Sequence, residues 1–140
     1  MKSAAITGGR YTDAYSKRIL IPSEVQLLEL WALLFVQSFS RLAHGAAIGT
    51  DQAVARFIAR YSGGLVQVDP YPVDPRFDGE WPLAGHRRNR RMLIESGAEA
   101  LFALPGHAGT NNCVNQAIEL GRAVYVWVGD RDQGEYERIH

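Results

Sequence analysis

A chain of 140 residues is long enough for one domain with a substantial core. Its 15 Lys and Arg balance 15 Asp and Glu, and the zero net charge argues against partners held by bulk charge, such as duplex DNA or an anionic membrane. The single cysteine, Cys113, excludes an internal disulfide and a cysteine-rich zinc site. No apolar stretch suits a signal peptide and the longest apolar block, 30–36, is far too short to span a bilayer, so a cytoplasmic protein is expected.

Residues 4–7 read as a first buried strand ending at Gly8-Gly9-Arg10. Pro22-Ser23-Glu24 opens a helix that extends to about Phe39. A short strand over 41–44 ends at Gly45, and Gly49-Thr50-Asp51 starts a second helix running to Ala59 or Tyr61. Gly63-Gly64 stops it, and 65–68 form a third strand. The following loop, with Pro70, Pro72, Pro75 and Pro82, is too rigid and polar for core. A third helix begins between Leu83 and Arg87 and reaches Ser96, with Gly97 as its stop. The fourth strand covers 100–104, the fourth helix 111–120 and the fifth strand 123–128; the polar tail after Gly129 is read as surface.

Strands alternating with helices imply a parallel sheet with right-handed crossovers. Ligands of such sheets bind beyond the carboxyl ends of the strands, where the strand order switches. Those ends carry Gly8-Gly9-Arg10, His44-Gly45 and Pro105-Gly106-His107-Ala108-Gly109-Thr110. The last is a strand, a tight loop and a helix start, which aims backbone N–H groups and a positive dipole end at whatever lies above the sheet. An anion such as phosphate suits that place. The glycines let backbone approach a ligand without an intervening Cβ.

The side chains at these ends have chemistry to match. Arg10 can reach a phosphate or close over a base. Asp51, in the first turn of its helix, either stabilises the helix end or accepts a ribose hydroxyl. Arg88 and Asn89 offer a guanidinium fork and an amide. Of Arg87, Arg88, Arg90 and Arg91, Arg88 is expected inward and at least two others in solvent. Thr110 is expected to N-cap the fourth helix. Cys113 lies in that helix's first turn, where the dipole lowers a thiol pKa, yet a small buried residue facing the sheet is expected before a nucleophile. His44, His86 and His107 lack the close spacing of metal ligands, so neither a metal site nor a cofactor is expected.

Taken in order, four motifs resemble those of the SLOG superfamily, particularly its small YspA/YpsA-related branch. They are Gly8-Gly9-Arg10; His44-Gly45 with Gly49, Asp51 and Ala55; Ala84-Gly85 with Arg88, Asn89 and Met92; and Pro105-Gly106 with Gly109-Thr110. The superfamily includes the LOG phosphoribohydrolases and the DNA-processing protein DprA. The resemblance implies a single Rossmann-like α/β domain over 1–140, with a five-stranded parallel sheet ordered 3-2-1-4-5 and helices on both faces. It also implies a pocket for a nucleotide or nucleotide-derived small molecule. Its lining would draw on Gly8, Gly9, Arg10, His44, Gly45, Gly49, Asp51, Arg88, Asn89, Pro105, Gly106, His107, Gly109, Thr110 and Asn112.

In the phosphoribohydrolases the last motif resembles Pro-Gly-Gly-x-Gly-Thr-x-x-Glu. Here His107 holds the third position and Cys113 the carboxylate position. Cleaving an N-glycosidic bond needs an acid, a base or a stabilising carboxylate near the leaving group, and only Asp51 and His107 are candidates. Ligand sensing or sequestration is therefore expected ahead of a nucleoside-monophosphate phosphoribohydrolase. Single-stranded nucleic acid binding comes third, and would need Tyr11, Tyr71, Phe77 and Trp81 as stacking groups beside the arginines. The helix over 23–39 is apolar most of the way round between Leu30 and Val36. A homodimer or higher homo-oligomer through it is expected, unless the proline-rich loop or the tail covers it.

Overall fold

Small and branched apolar residues alternate faces along the first strand, β1 (Ser3–Thr7), with Ala4 and Ile6 on one side and Ala5 on the other. Both sides are buried, as a central parallel strand requires. The computed structural model describes residues 2–13 and 15–140; Met1 and Ala14 lie outside them. The remaining strands are β2 (Arg41–His44), β3 (Gln67–Pro70), β4 (Ala100–Ala103), β5 (Ala123–Asp130) and β6 (Gln133–Arg138). Their order across the sheet is β3-β2-β1-β4-β5-β6.

The first five strands are parallel, in the expected order. The expectation of a five-stranded, all-parallel sheet is nevertheless corrected: β6 pairs antiparallel with β5, so the sheet is mixed and has six strands. The tail read as polar surface supplies that strand. It turns at 131–132, between the paired Asp130 and Gln133, and Gly129, which pairs with Gly134, has φ 97°. Gly134 then faces Trp127 so closely that a Cβ there would stand 2.7 Å from the indole nitrogen.

Helices α1 (Glu24–Val36) and α2 (Thr50–Tyr61) cover one face of the sheet. They set Leu30, Leu34, Val54 and Ile58 against Ile6, Leu42 and Phe102. After a single turn, α3 (Pro75–Asp78), come α4 (Ala84–Glu95) and α5 (Ala108–Glu119) on the other face. There Met92, Leu93, Cys113 and Ala117 pack on Ala5, Ala43, Leu101 and Val124.

Several boundaries differ from expectation for local reasons. A capping box between Ser23 and Gln26 starts α1 where Pro22-Ser23-Glu24 placed it. The helix ends at Val36 rather than Phe39, because Ser38 turns at φ 61° and sends Phe39 back edge-on against Phe102, 6.1 Å between ring centres. β3 begins two residues later than the apolar run suggested. Its register is held by an Arg41–Asp69 ion pair at 2.8 Å, while Leu65 stays exposed. The proline-rich loop is partly helical: Asp74 caps α3, and Asp78 is buried against Arg91 at 2.9 Å.

The tail also bears on α1. The Ser23 hydroxyl donates to the Arg131 carbonyl at 2.5 Å, and Tyr136 packs edge-on against Trp127 and Phe102, at 5.1 and 5.9 Å between ring centres. Part of α1 is thereby covered within the chain, whereas Phe35 and Val36 remain 63% and 76% exposed. Among the described residues no helix is long and apolar enough to cross a membrane.

Tyr136 separates packing from polarity. Its hydroxyl is buried without a partner, and burial pushes its pKa up. Tyr136→Ala should destabilise the fold by about 3 kcal/mol in chemical denaturation, through lost ring packing and an open cavity. Tyr136→Phe should be neutral or stabilising, since it removes an unsatisfied group and keeps the ring.

Candidate functional site

The carboxyl ends of β1, β2 and β4 open onto one cleft of about 330 Å3. Gly8, Gly9 and Arg10 line it from β1, Gly45 and Asp51 from the β2 side, and His107, Gly109 and Thr110 from the loop after β4. Arg88 and Asn89 line it from α4, so the two cationic residues Arg10 and Arg88 share a single site. The structure thus gathers most of the residues singled out from sequence. His44, Gly49, Pro105, Gly106 and Asn112 are not on the cleft wall; each holds a neighbour in place.

Their contacts show how. His44 Nδ1 accepts from the Ala46 N–H at 3.0 Å, and burial together with the Arg88 charge lowers its pKa. Gly49, at φ 89°, caps α2 directly against the Arg10 backbone: a Cβ there would lie 2.6 Å from the Arg10 carbonyl oxygen. The Thr50 N–H donates to the Gly9 carbonyl at 3.1 Å. Pro105 accepts from the Gly9 N–H at 2.9 Å. Asn112 Oδ1 accepts from Asn89 Nδ2 at 3.2 Å and from Gln116 Nε2 at 2.8 Å, which ties α4 to the first turns of α5.

Gly8, Gly9, Gly45 and Gly109 line the cleft, and several of the glycines also serve the packing of the chain on itself. A Cβ on Gly106 would lie 2.0 Å from Thr110 Oγ1, one on Gly8 2.4 Å from Thr50 Cγ2, and one on Gly45 2.6 Å from the Arg88 guanidinium. At these positions the chain packs on itself closely enough to demand glycine. Gly109 is the contrast: it lines the cleft, and no atom lies within 4 Å of its Cβ position.

Thr110 does not cap α5, correcting that expectation. The helix starts at Ala108, with His107 in the cap position and no side-chain cap bond. Thr110 is therefore inside the first turn, where its buried hydroxyl faces Gly106. The N-terminal end of α5 opens at the cleft with its dipole free of a local side-chain acceptor.

Arg88 is buried, as expected, while Arg87 and Arg90 are exposed. Its Nη1 donates to the carbonyls of Gly45 and Tyr71, the latter at 3.2 Å, and its Nε donates to Asn89 Oδ1 at 3.1 Å. Burial lowers its pKa, and the nearby Asp51 charge works in the opposite direction. Asp51 itself is buried, with Oδ2 accepting from the Gly45 N–H at 3.1 Å and Oδ1 without a hydrogen-bond partner among the described residues. Burial pushes its carboxyl up to about 6, against the pull of Arg88, two backbone N–H groups and Arg10. Among the described residues no direct salt bridge joins Asp51 to either arginine.

Cys113 is fully buried against the sheet, as expected. The dipole expectation fails there, because burial pushes the thiol up to about 12. His86 and His107 line the cleft but His44 does not, and among the described residues no three His, Cys, Asp or Glu side chains gather as a metal site. Trp81 and Pro82 form a wall that sequence reasoning did not assign to this pocket. An exposed tryptophan next to a proline, just before a helix start, was the available signal.

No protein-family model matches the chain, and no curated protein matches it.

The raised Asp51 pKa has a consequence for stability. The folded protein keeps that proton at pH values where the unfolded chain has released it. Stability is thus unaffected below the ordinary value of 3.8 and falls as pH climbs through about 6. The ionised carboxylate costs about 3 kcal/mol at neutral pH. Asp51→Asn should therefore gain stability over wild type by up to that amount at pH 7.5, with the difference vanishing near pH 4. Urea melts at the two pH values test this, and a variant uniformly less stable at both would contradict it.

Proposed function

We propose that the protein binds a nucleotide or nucleotide-derived small molecule in the cleft at the carboxyl edge of the sheet, to sense or sequester it. One observation carries the proposal: Arg10, Arg88 and the uncapped N-terminus of α5 converge on a cleft that also holds a carboxylate with an unused oxygen. Two guanidinium groups and a helix N-terminus suit a phosphate. Asp51 suits a sugar hydroxyl, whose hydrogen would satisfy the orphaned Oδ1. A volume of about 330 Å3 lies within the range of small-molecule sites. The motif order adds the SLOG-like, Rossmann-like reading to this proposal, and a lone buried thiol suits a reducing cytoplasm.

A second function is favoured by Asp51 alone. A carboxyl held near neutrality beside a cleft is a usual device for proton transfer, so N-glycosidic cleavage of a nucleoside monophosphate is the enzymatic alternative. Of the four stacking groups expected for nucleic acid, Tyr11 and Trp81 line the cleft, but the other two are taken up elsewhere. Arg91 is tied to Asp78, and it lies over the rings of Tyr71 and Phe77, neither of which lines the cleft.

Arg10 offers the cleanest test of the binding site, because its side chain makes no hydrogen bond or ion pair among the described residues. Arg10→Ala should weaken ribose 5-phosphate binding by about 2 kcal/mol, roughly 30-fold, without changing the melting temperature. Titration calorimetry with unchanged affinity would remove Arg10 from the site. Incubation with adenosine monophosphate should release little adenine. Rapid release that Asp51→Ala abolishes would establish the hydrolase instead.

We also propose that the exposed end of α1 is covered by a second copy of the chain. Phe35 and Val36 continue into an aromatic group, in which Trp31 lies 5.7 Å from Phe35 and 6.3 Å from Tyr61 between ring centres. Light scattering at micromolar concentration should report a dimer, and Phe35→Glu should return it to a monomer.

A further inference from the structure

The cleft has one wall that no polar chemistry explains. Trp81 lines it while remaining 62% exposed. Its indole rests over Gly85 at the start of α4, where a Cβ would stand 3.2 Å from the six-membered part of the ring. Any larger residue at 85 would press on that ring. On the cleft side Arg10 overhangs the indole at 6.0 Å from the ring centre, the outer limit of a cation–π contact. So loose a contact can yield its place to a ligand group at little cost.

From this juxtaposition we infer that Trp81 is the specificity-determining wall of the site, a stacking platform for a planar aromatic ring on the ligand. The inference rests on the binding function proposed above and adds to it what the cleft selects. The ring lies on the indole, and the anionic end of the same molecule reaches Arg88, Arg10 and the N-terminus of α5. Those three groups bind any small phosphate ester. The indole separates an ester that carries a flat ring from one that does not. A flat, exposed indole also has no other protein ring to meet: among the described residues Trp81 makes no aromatic pair, unlike Trp31 and Trp127. Stacking of this kind accepts any base-like π-face, so it selects for a ring without fixing its substituents.

The full-length protein is titrated calorimetrically with adenosine monophosphate and with ribose 5-phosphate. Wild type should prefer the monophosphate at least tenfold, on the scale of one stacked base. Trp81→Ala should remove most of that preference and leave ribose 5-phosphate affinity unchanged. Trp81→Phe should restore part of it, and Gly85→Ala should reduce it by crowding the indole. Since Trp81 is exposed, melting curves should show all three variants folded. Adenosine monophosphate should also quench the tryptophan fluorescence of wild type and not that of Trp81→Phe, whose remaining indoles lie away from the cleft. Equal affinity of wild type for the two compounds, or an unchanged preference in Trp81→Ala, would overturn the stacking wall while leaving the anion site standing. Failure of wild type to bind either compound would overturn both.

Discussion

The loops after β1 and β4 meet backbone to backbone, and the site depends on that meeting. The Gly9 N–H donates to the Pro105 carbonyl, and the Gly106 Cα lies 3.1 Å from where a Gly9 Cβ would be. So close an approach leaves no room for side chains at either position. It also fixes the direction in which α5 begins, since Thr110 packs its hydroxyl into the space beside Gly106. The cleft is what remains above this contact once Arg10 and the first turn of α5 diverge from it. Glycine here serves the protein's own packing.

Electrostatics complete what packing begins, at a cost to stability. Asp51 and Arg88 are both largely buried, and each is perturbed most by its own desolvation. The two charges attract, yet no direct bond joins them, so neither recovers what it loses by leaving water. Arg88 offsets part of the loss with two backbone carbonyls and the Asn89 amide. Asp51 keeps one oxygen without a partner. The buried Asp78, by contrast, is doubly bonded to Arg91. A partly satisfied carboxylate whose pKa is raised by burial is the kind of group that concentrates where a protein binds or reacts.

Much of this arrangement was legible in the residues. β2 spans 41–44 as read, α1 starts behind Ser23, and the strand ends carrying glycine do converge, because these depend on short-range rules of alternation and capping. The inward turn of Arg88 followed from helical spacing alone. What was not legible depends on contacts distant in sequence. β6 has no long apolar run; its place follows from Tyr136 reaching Phe102 and from Gly134 clearing Trp127. The threonine at 110 looked like a cap, yet the helix could begin at Ala108 once Gly106 made room for its side chain. The glycines were read correctly as special, and Gly8, Gly9, Gly45 and Gly109 do line the cleft; what sequence does not show is which neighbouring atoms fill the space a Cβ leaves.

The basic run on α4 illustrates how one helix divides its charges between structure and site. Arg91 reaches Asp78 and the Pro72 carbonyl, and Arg87 reaches the Asp78 carbonyl, so both clamp the proline-rich segment to the helix. That segment carries Trp81 and Pro82 to the cleft rim. Arg88, between them in sequence but on another side of the helix, faces Gly45 and the cleft floor. The arginines that look most like a nucleic-acid patch thus hold a wall in place, and a single member contributes charge to the pocket. A zero net charge agrees with this use. The charge of Arg88 acts inside the cleft, where burial shields it from screening by water and salt.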